Sequence, residues 1–310
     1  MSVLSLLIAL CLDFALGDPS WSWHPVRVLG RLISYIEPLC RAIPIHPKAR
    51  GFVFAALNMI IFIVPVILVS VFFSRAGNLG VVADGILIYF AIGGTCLARE
   101  VGGVADALEV GGIVAGREKL RLLVSRDVDS MNETAVVSSA IETLSENFSD
   151  STVATLFYAA LGGPVLAWIH RISNTLDAMA GYKTEEYADF GYISAKLDDA
   201  LNFIPARLSV LIAALASYPG GIVGTLRRAF ADGGKLSSPN SGYPIAAFAG
   251  ALGVMLCGPV SYFGVLNDKP FIGDGPRPDK LCLKRALILY WNSYALAAAL
   301  SALLAGVLRA

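Results

Sequence analysis

Long apolar runs alternate with compact polar stretches along this chain. The three strongest runs cover residues 52–74, 79–98 and 286–308, and Asp84 is the single charged residue within them. Each run is at least as long as the roughly 20 residues that a helix needs to cross the hydrocarbon core of a bilayer. The pattern predicts membrane-spanning helices, with the first two joined as a helical hairpin through residues 75–78.

Four weaker apolar runs are further candidates for crossing, at residues 1–12, 152–169, 208–226 and 242–266. The second contains Gly162, Gly163 and Pro164, and the last contains Pro244 and Pro259. Such breaks are tolerated where the backbone is buried in protein or lines a cavity, so these runs are candidates for re-entrant segments. We therefore expect an all-α polytopic integral membrane protein with about five to seven apolar segments, forming a single membrane-embedded domain over residues 1–310.

Composition agrees with lipid as the solvent for much of the surface. The chain is 56% hydrophobic and 15% charged, whereas soluble domains carry about 25% charged residues. Lys+Arg and Asp+Glu are equal at 24 each, so no bulk charge favours a nucleic-acid partner. Positive charge is concentrated in 17–51 and sparse in the 75–78 link, which by the positive-inside rule predicts that 17–51 and 99–151 are cytoplasmic.

The candidate chemistry lies in the polar stretches 12–31, 125–151, 170–207 and 239–275. The first contains Asp18, His24 and Arg27 next to an apolar run. Ionisable side chains at membrane depth are costly, so these residues are candidates for substrate binding. The alternative is that Asp18 caps a turn while Arg27 extends to the membrane interface, and the pattern favours neither.

The second stretch predicts a helix with an acidic face. Ser130 followed by Glu133 is a capping-box pattern, and the helix is expected to continue to about Asp150. Glu142, Glu146 and Asp150 follow one another at i+4 spacing, opposite an apolar stripe, with no Lys or Arg between them. Stacked carboxylates repel unless a cation lies among them, and their oxygens suit Mg²⁺. A solvated helix face remains the alternative to a metal or substrate site.

The third stretch places polar residues on shared helix faces. Arg171, Asn174 and Asp177 are three residues apart and line one side of a helix, and Asp198 and Asn202 share a face of another. A helix at the membrane edge with interfacial anchors is the alternative reading.

Turn signals and missing signatures complete the pattern. Pro205 is expected to open the next helix at its first turn. Residues 239–244 and 273–275 are turn-like. The sequence has no P-loop, no dinucleotide-binding glycine motif and no HExxH zinc motif, so a nucleotide would not be held by a standard P-loop.

Taken together, the polar blocks resemble the adenosylcobinamide-phosphate synthases of cobalamin biosynthesis, the CobD/CbiB membrane proteins. No single block is diagnostic, but the ordered set is specific. The blocks are LDFALGDP (12–19), HPVR (24–27), SRDVDS (125–130), IETLSENFSD (141–150), RISNTLDAMAGY (171–182), DFG (189–191), KLDDALNFIPARLS (196–209), PNSGYP (239–244), GPVSYFGVL (258–266) and IGDG (272–275).

The resemblance implies an amide ligase in a bacterial or archaeal plasma membrane, with its polar site in the cytoplasm. Such an enzyme joins the free propionate of adenosylcobyric acid, a corrinoid, to (R)-1-aminopropan-2-ol O-phosphate or to the free amino alcohol, using ATP. It also implies proximity to other late enzymes of the pathway. Because a carboxylate is a poor acyl acceptor, its phosphorylation creates the necessary leaving group, and Mg²⁺ would hold the nucleotide phosphates.

That chemistry suggests a role for each class of residue in the blocks. Carboxylates suit Mg²⁺, arginines suit phosphate or propionate, and Asp or Asn side chains suit the orientation and deprotonation of the amine. The expected metal ligands are Asp127, Asp129, Glu142, Glu146 and Asp150. The expected substrate- or phosphate-binding residues are Arg126, Arg171, Arg207, Asp18, His24, Arg27 and Asn147. The residues expected to orient the reacting groups are Asn174, Asp177, Asp198, Asp199 and Asn202.

A single site built from 126–150 and 171–207 requires both stretches on one face of the membrane, so 152–169 is not expected to make a simple crossing. The main rival function is an ion-coupled transporter, in which carboxylates and broken helices serve an ion path. A membrane scaffold for soluble enzymes is a third possibility. Physical reasoning alone leaves enzyme and transporter open, and the resemblance favours the enzyme.

Overall fold

A computed structural model describes residues 2–19, 21–182, 184–217, 221–262 and 264–309. Most of them are helical. In chain order the helices are α1 (Val3–Leu16), α2 (Pro25–Arg41), α3 (Pro47–Phe73), α4 (Asn78–Tyr89), α5 (Gly94–Val110), α6 (Gly112–Arg121), α7 (Glu133–Asn147), a π-helical turn (Phe148–Val153), α8 (Ala154–Ala180), α9 (Tyr192–Ala216), α10 (Ile222–Asp232), α11 (Gly242–Leu252) and α12 (Lys280–Val307).

Within the described residues, five helical stretches are long and apolar enough to cross a membrane: Pro47–Phe73, Asn78–Val110, Glu133–Ala180, Tyr192–Ala216 and Lys280–Val307. The apolar helices α1 and α11 are shorter. The prediction of an all-α polytopic membrane protein is confirmed, and each of the three strongest apolar runs coincides with part of one of these stretches, to within one residue at its end. The Glu133–Ala180 stretch has 48 residues, more than twice the roughly 20 that one crossing needs.

The predicted apolar segment at 208–226 is wrong in its bounds. Helix α9 runs without interruption from Tyr192 to Ala216, so the polar motif at 196–207 and the apolar residues after it lie on one helix. Pro205 is therefore inside α9 and does not open a helix, contrary to the sequence prediction. Residues 218–220 of the predicted segment lie outside the described residues.

Only the first part of the predicted segment at 242–266 is helical, so it makes no continuous helical crossing, and the prediction that it is re-entrant stays a prediction. Helix α11 ends at Leu252 because Gly253 adopts a left-handed conformation (φ 67°), a usual way to end a helix. The chain then forms two antiparallel strand pairs, β1 (Leu256–Cys257) with β4 (Phe271–Ile272) and β2 (Val260–Tyr262) with β3 (Val265–Asn267). Their registers pair Leu256 with Ile272 and Ser261 with Leu266.

The chain divides into two compact units. The first comprises Met1–Gly93, Ala154–Asn202 and Ala298–Ala310, and the second comprises Gly94–Val153 and Phe203–Ala297. The polar stretches divide accordingly, with 12–31 and most of 170–207 in the first unit and 125–151 with 239–275 in the second. The single membrane-embedded domain expected from the sequence stays a prediction.

In the first unit, α3 packs against α2, α4 and α8, and α1 packs against α4. The expected break at Gly162–Pro164 is present: Gly162 and Gly163 leave the helical conformation, and Gly163 has a φ of 68°. The break interrupts the helical hydrogen-bond pattern, and the carbonyl of Ala160 just before it accepts a 3.2 Å hydrogen bond from Arg309 Nη2. A side chain thus satisfies backbone that would be costly to leave unpaired in lipid.

In the second unit, α7 packs against α5, α6, α11 and β1. Its apolar stripe is buried throughout, including Val137, Ile141 and Leu144. The helix begins at Glu133, and its N-cap is Asn132, whose side-chain oxygen accepts from the N–H of Ala135 at 2.9 Å. The predicted Ser130 cap is therefore wrong, since Asn132 lies three residues before the N–H that needs an acceptor and serves it directly.

Candidate functional site

In the first unit, helix α8 and the part of α9 up to Asn202 face each other through polar side chains. His170 Nε2 and Asn202 Oδ1 are 2.9 Å apart, and Asn174 Nδ2 donates to Asp198 Oδ1 at 3.4 Å. Because the residue number rises by four on α8 while it falls by four on α9, the two helices are antiparallel here. We call His170, Ser173, Asn174 and Asp177 of α8, with Ser194, Asp198 and Asn202 of α9, the α8–α9 polar ladder.

The ladder is buried. His170 and Ser173 are fully enclosed, Asn202 is 1% exposed and Asp198 is 8% exposed. Asp177 is half-buried and interacts electrostatically with Asp198. Polar and ionisable groups are expensive in a membrane-spanning segment, so a concentration of them here indicates a functional site.

Tyr158, near the start of α8, contacts the ladder with its ring and α9 with its hydroxyl. The ring of Tyr158 stacks on His170 with centroids 5.4 Å apart, and its hydroxyl donates to the Leu201 carbonyl at 2.8 Å. Two further residues expected in the site are charged neighbours of the ladder. Arg171 is half-buried on α8 and interacts electrostatically with His170, whereas Asp199 forms an ion pair with Lys196 at 3.3 Å.

A second polar cluster lies in the second unit, where Arg126 and Glu142 form a buried ion pair. Arg126 Nη1 lies 2.7 Å from Glu142 Oε2, with side chains 11% and 3% exposed. The same nitrogen donates to Ser139 Oγ at 2.9 Å, and Ser138 Oγ donates to Glu142 Oε1 at 2.8 Å. Burial alone would lower the pKa of the Arg126 guanidinium, but the Glu142 carboxylate outweighs it and raises that pKa, so the guanidinium stays charged.

Both backbone polar groups of Cys257 form hydrogen bonds with charged side chains. Its N–H donates to Glu142 Oε1 at 3.0 Å, and its carbonyl accepts from Arg277 Nη1 at 2.8 Å. Cys257 has a φ of 60°, which is strained for a residue with a side chain and persists only where the surroundings enforce it. Burial and the Glu142 carboxylate raise the pKa of its thiol, so the thiol is neutral.

These groups line a cavity of about 290 Å³, near the lower end of the range for small-molecule pockets. Its wall includes Arg126, Asp127, Ser138, Glu142, Cys257 and Arg277. Two guanidinium groups therefore border one small polar space, the arrangement that proteins use for carboxylates and phosphates. We call this space the Arg126 pocket.

The two aspartates of the SRDVDS block have different surroundings. Asp127 Oδ2 accepts the Gly264 N–H at 2.8 Å, and the Asp127 N–H donates to Ser261 O at 3.0 Å, so Asp127 anchors the β2–β3 hairpin. Asp129 is 81% exposed in its side chain and pairs with Arg121 at 2.6 Å. The hydrogen bond and charge of Arg121 lower the pKa of Asp129.

The expected acidic stripe is only partly a common surface. Glu142 is buried against Arg126, whereas Glu146 and Asp150 are half-buried. Asp150 lies in the π-helical turn, whose wider winding shifts it from strict i+4 alignment. Asn147 Nδ2 donates to the Thr143 carbonyl at 3.0 Å. Across the described residues, no three or more Asp, Glu, His or Cys side chains form a metal-binding group, so the five expected magnesium ligands stay a prediction.

The remaining expected residues lie in smaller clusters. The Arg207 guanidinium lies between the rings of Phe203 and Tyr243, 3.8 and 4.1 Å from their centroids, and donates to Asn240 Oδ1 at 2.7 Å. In the first unit, buried His24 lies 3.5 Å from Asp18 through Nε2, and Arg27 is exposed.

Several polar residues of these clusters were missed by sequence reasoning. His170 immediately precedes the RISNTLD block, and Arg277 follows the GDG turn, so each lies one or two residues outside a recognised block. Asp232 was also missed. It accepts from Lys235 at 2.7 Å, from Arg228 at 3.1 Å and from the Gly273 N–H at 2.8 Å. The spacing of Arg228 and Lys235 around Asp232 in the sequence is the pattern that could have predicted this cluster.

Comparison with known proteins gives a consistent result. Residues 6–290 match the model of a protein family described as CobD/Cbib protein. A cobalamin biosynthesis protein CobD from Clostridium perfringens is 41% identical over 283 residues, 89% of each chain. A CobD protein from Klebsiella pneumoniae is 36% identical over 314 residues, and a cobalamin biosynthesis protein CbiB from Salmonella typhi is 35% identical over 314 residues, each covering 97% of this chain and 96% of the relative. No solved structure matches the chain.

Proposed function

Because the chain belongs to the CobD/Cbib family, we propose that it is an ATP-dependent amide ligase of cobalamin biosynthesis. Its substrates are adenosylcobyric acid and (R)-1-aminopropan-2-ol O-phosphate or the free amino alcohol, and its product is adenosylcobinamide phosphate or adenosylcobinamide. The observation that carries the proposal is the family match over residues 6–290, which includes every polar block identified in the sequence. The proposed location is the bacterial plasma membrane, with the polar site facing the cytoplasm.

The reaction needs an activated propionate and a deprotonated amine. ATP supplies the activation, because transfer of its terminal phosphoryl group turns a carboxylate oxygen into a leaving group. Arg126 and Arg277 are suited to bind a phosphate or the propionate, since both border one polar cavity. Arg126 is already neutralised by Glu142, so Arg277 is the more available of the two charges.

Magnesium fits this chain only in part. Both oxygens of Glu142 already accept hydrogen bonds, from Ser138, the Cys257 N–H and Arg126. An ion that enters with nucleotide phosphates keeps several waters and needs one or two carboxylates. Asp127, Asp129, Glu146 and Asp150 are the carboxylates proposed for that role, where a bound ion would offset phosphate charge.

The α8–α9 polar ladder supplies the side chains proposed to orient the amine. Asn174 and Asn202 flank Asp198, and Asp177 lies close to it. A carboxylate in this position would receive a proton as the ammonium becomes a nucleophilic amine.

The direct test follows product mass after purified protein in detergent is mixed with adenosylcobyric acid, ATP, Mg²⁺ and each amino alcohol. We expect an amide product that disappears when ATP is omitted or Mg²⁺ is chelated. Asp198→Asn should lower the rate at least tenfold, and Glu185→Gln, which removes one exposed charge in the same unit, serves as the matched control. Absence of product from folded protein with either amine would overturn the ligase and favour the ion-coupled transporter, for which ion flux into vesicles is the readout.

A further inference from the structure

The backbone of Cys257 has a conformation that its own side chain disfavours. Its φ is 60°, and among the described residues it is the only non-glycine residue with a positive φ. The left-handed conformation costs about 1–2 kcal/mol for a residue with a Cβ. It therefore persists only where surrounding groups enforce it, and the groups that hold this peptide determine where its carbonyl points.

Glu142 supplies the acceptor for the Cys257 N–H. Its Oε1 lies 3.0 Å from that nitrogen and also accepts from Ser138 Oγ at 2.8 Å, while its Oε2 lies 2.7 Å from Arg126 Nη1. Glu142 is 2% exposed, so both carboxylate oxygens are held by protein groups away from bulk water. Such a carboxylate can enforce a strained peptide, because a hydrogen bond to a charged acceptor is stronger than one between neutral groups.

The carbonyl of the same residue orients the Arg277 guanidinium. Nη1 of Arg277 donates to the Cys257 carbonyl at 2.8 Å and lies 3.4 Å from the Met255 carbonyl, and its Cζ lies 5.2 Å from the centroid of the Phe271 ring. None of these neighbours is an anion, and among the described residues Arg277 forms no ion pair. A guanidinium has five N–H donors, so the others are available to an anion in the Arg126 pocket, which Arg277 lines.

We propose that Glu142 is a positioning residue, which aims Arg277 into the Arg126 pocket through the Cys257 peptide. Loss of the carboxylate leaves the Cys257 N–H without its acceptor, so the strained peptide relaxes and its carbonyl turns away from Arg277. Glu142 then acts without touching the ligand, a role different from the magnesium ligand that the sequence suggested. This inference rests on the proposed function, in which Arg277 binds a phosphate or the propionate, and adds the group that orients it.

The test measures how much Arg277 contributes to anion binding in two backgrounds of equal charge. Arg126→Met/Glu142→Met removes one positive and one negative charge, so the net charge of the pocket is unchanged. Full-length protein in detergent is titrated with inorganic phosphate, with and without Arg277→Gln. We expect Arg277→Gln to lower phosphate affinity about tenfold or more in the wild type and less than about threefold in the double variant. An equal loss in both backgrounds overturns the proposal, since the pairing of β1 with β4 would then hold the peptide without Glu142.

Substitution of Cys257 identifies the route from Glu142 to Arg277. Glycine adopts a positive φ without steric cost, so Cys257→Gly in the double variant should restore the effect of Arg277→Gln to about fivefold or more. Cys257→Ala is the matched control, because it also removes the sulfur but keeps the Cβ and its strain. If glycine restores nothing, or alanine restores as much as glycine, the strained peptide is not the link and the proposal is wrong.

A folding control separates loss of orientation from loss of structure. The thermal unfolding midpoint of each variant is measured in the same detergent without phosphate. If the double variant does not fold, Glu142→Gln provides a second background of nearly unchanged shape, in which the glycine and alanine substitutions at position 257 are compared again. Equal effects of Arg277→Gln with glycine and with alanine at that position would then overturn the proposal.

This inference and the proposed function fail in distinguishable ways. Protein whose phosphate binding depends on Arg277 and recovers with Cys257→Gly, but which forms no amide, retains the positioning role of Glu142 and loses the ligase assignment. Protein that forms the amide, but in which glycine restores nothing, retains the ligase and loses the positioning role.

Discussion

Tyr158 donates a 2.8 Å hydrogen bond to the carbonyl oxygen of Leu201, in the middle of a membrane-spanning helix. In an uninterrupted helix that carbonyl would accept from the N–H of residue 205, but Pro205 has none. The Tyr158 hydroxyl therefore replaces a missing helical bond. The polar motif and the apolar end of α9 can stay on one helix because the proline is compensated by another helix.

This relationship predicts a non-additive pair of substitutions. Tyr158→Phe should lower the free energy of unfolding by about 1–3 kcal/mol, because it leaves the part-buried Leu201 carbonyl unsatisfied. In a Pro205→Ala background the same change should cost much less, since the restored N–H at position 205 satisfies Leu201. Thermal unfolding of the four proteins in one detergent measures the coupling, and an equal loss in both backgrounds would contradict it.

The sequence predicted the apolar helices well because lipid crossing requires a long, charge-poor run. It failed at Pro205 for a physical reason: proline usually marks a helix start, and the compensating Tyr158 is far away in sequence. It also failed after Leu252, where apolar residues continue but Gly253 turns left-handed and short strands follow. Hydropathy does not distinguish a strand hairpin from a helix, and it does not predict burial here, since Val265 and Leu266 of β3 are exposed.

The candidate site shows the same limit. The spacing of Asp198 and Asn202 was enough to place both on one helix face, but their partner His170 was missed because it lies one residue before the recognised block and a single histidine has no local signal. The sequence assigned no basic partner to the acidic stripe because no Lys or Arg lies between its carboxylates. In the structure, Arg126 from the loop before α7 pairs with Glu142. Pairing across elements depends on tertiary packing, which periodicity does not contain.

The Arg126–Glu142 pair predicts strong coupling in stability. Glu142→Met removes the counter-charge of the buried Arg126 guanidinium and the acceptor for Ser138 and for the Cys257 N–H, so it should cost about 3–5 kcal/mol. The double variant Arg126→Met/Glu142→Met removes both charges and should recover much of that loss. Thermal unfolding of the single and double variants measures this, and a double variant as unstable as the sum of the singles would refute the coupling.

Asp232 predicts a specific pH dependence. Burial alone would raise its pKa, but hydrogen bonds from Lys235, the Gly273 N–H and Arg228 outweigh it and hold the pKa below its usual value. A depressed folded-state pKa gives stability that is present above the unfolded pKa, about 3.9, and is lost as the pH falls through the folded value.

Asp232→Asn should therefore destabilise the protein by about 1–3 kcal/mol at neutral pH. The difference from the wild type should shrink as the pH falls below about 4, where the wild-type carboxyl also becomes protonated. Unfolding midpoints between pH 3 and pH 7 give this difference, and a gap independent of pH would show that the lost charge is not its cause.

Arg207 predicts that lysine is no substitute for arginine at this position. Its guanidinium lies between Phe203 and Tyr243 while it donates to Asn240 Oδ1 and to the Pro239 carbonyl. A planar group can stack on two rings and donate in its own plane, whereas an ammonium cannot do both. Arg207→Lys should thus lose nearly as much stability as Arg207→Ala, roughly 1–3 kcal/mol.

Ring variants identify the cause of that loss. Tyr243→Phe keeps the aromatic face and should leave stability nearly unchanged, whereas Tyr243→Leu should approach the loss seen for Arg207→Lys. Amide hydrogen exchange at residues 239–244 should rise in Tyr243→Leu and in Arg207→Lys, because Arg207 is the side chain that holds this turn to α9. If Arg207→Lys exchanges as slowly as the wild type, positive charge alone holds the turn and the stacked geometry is dispensable.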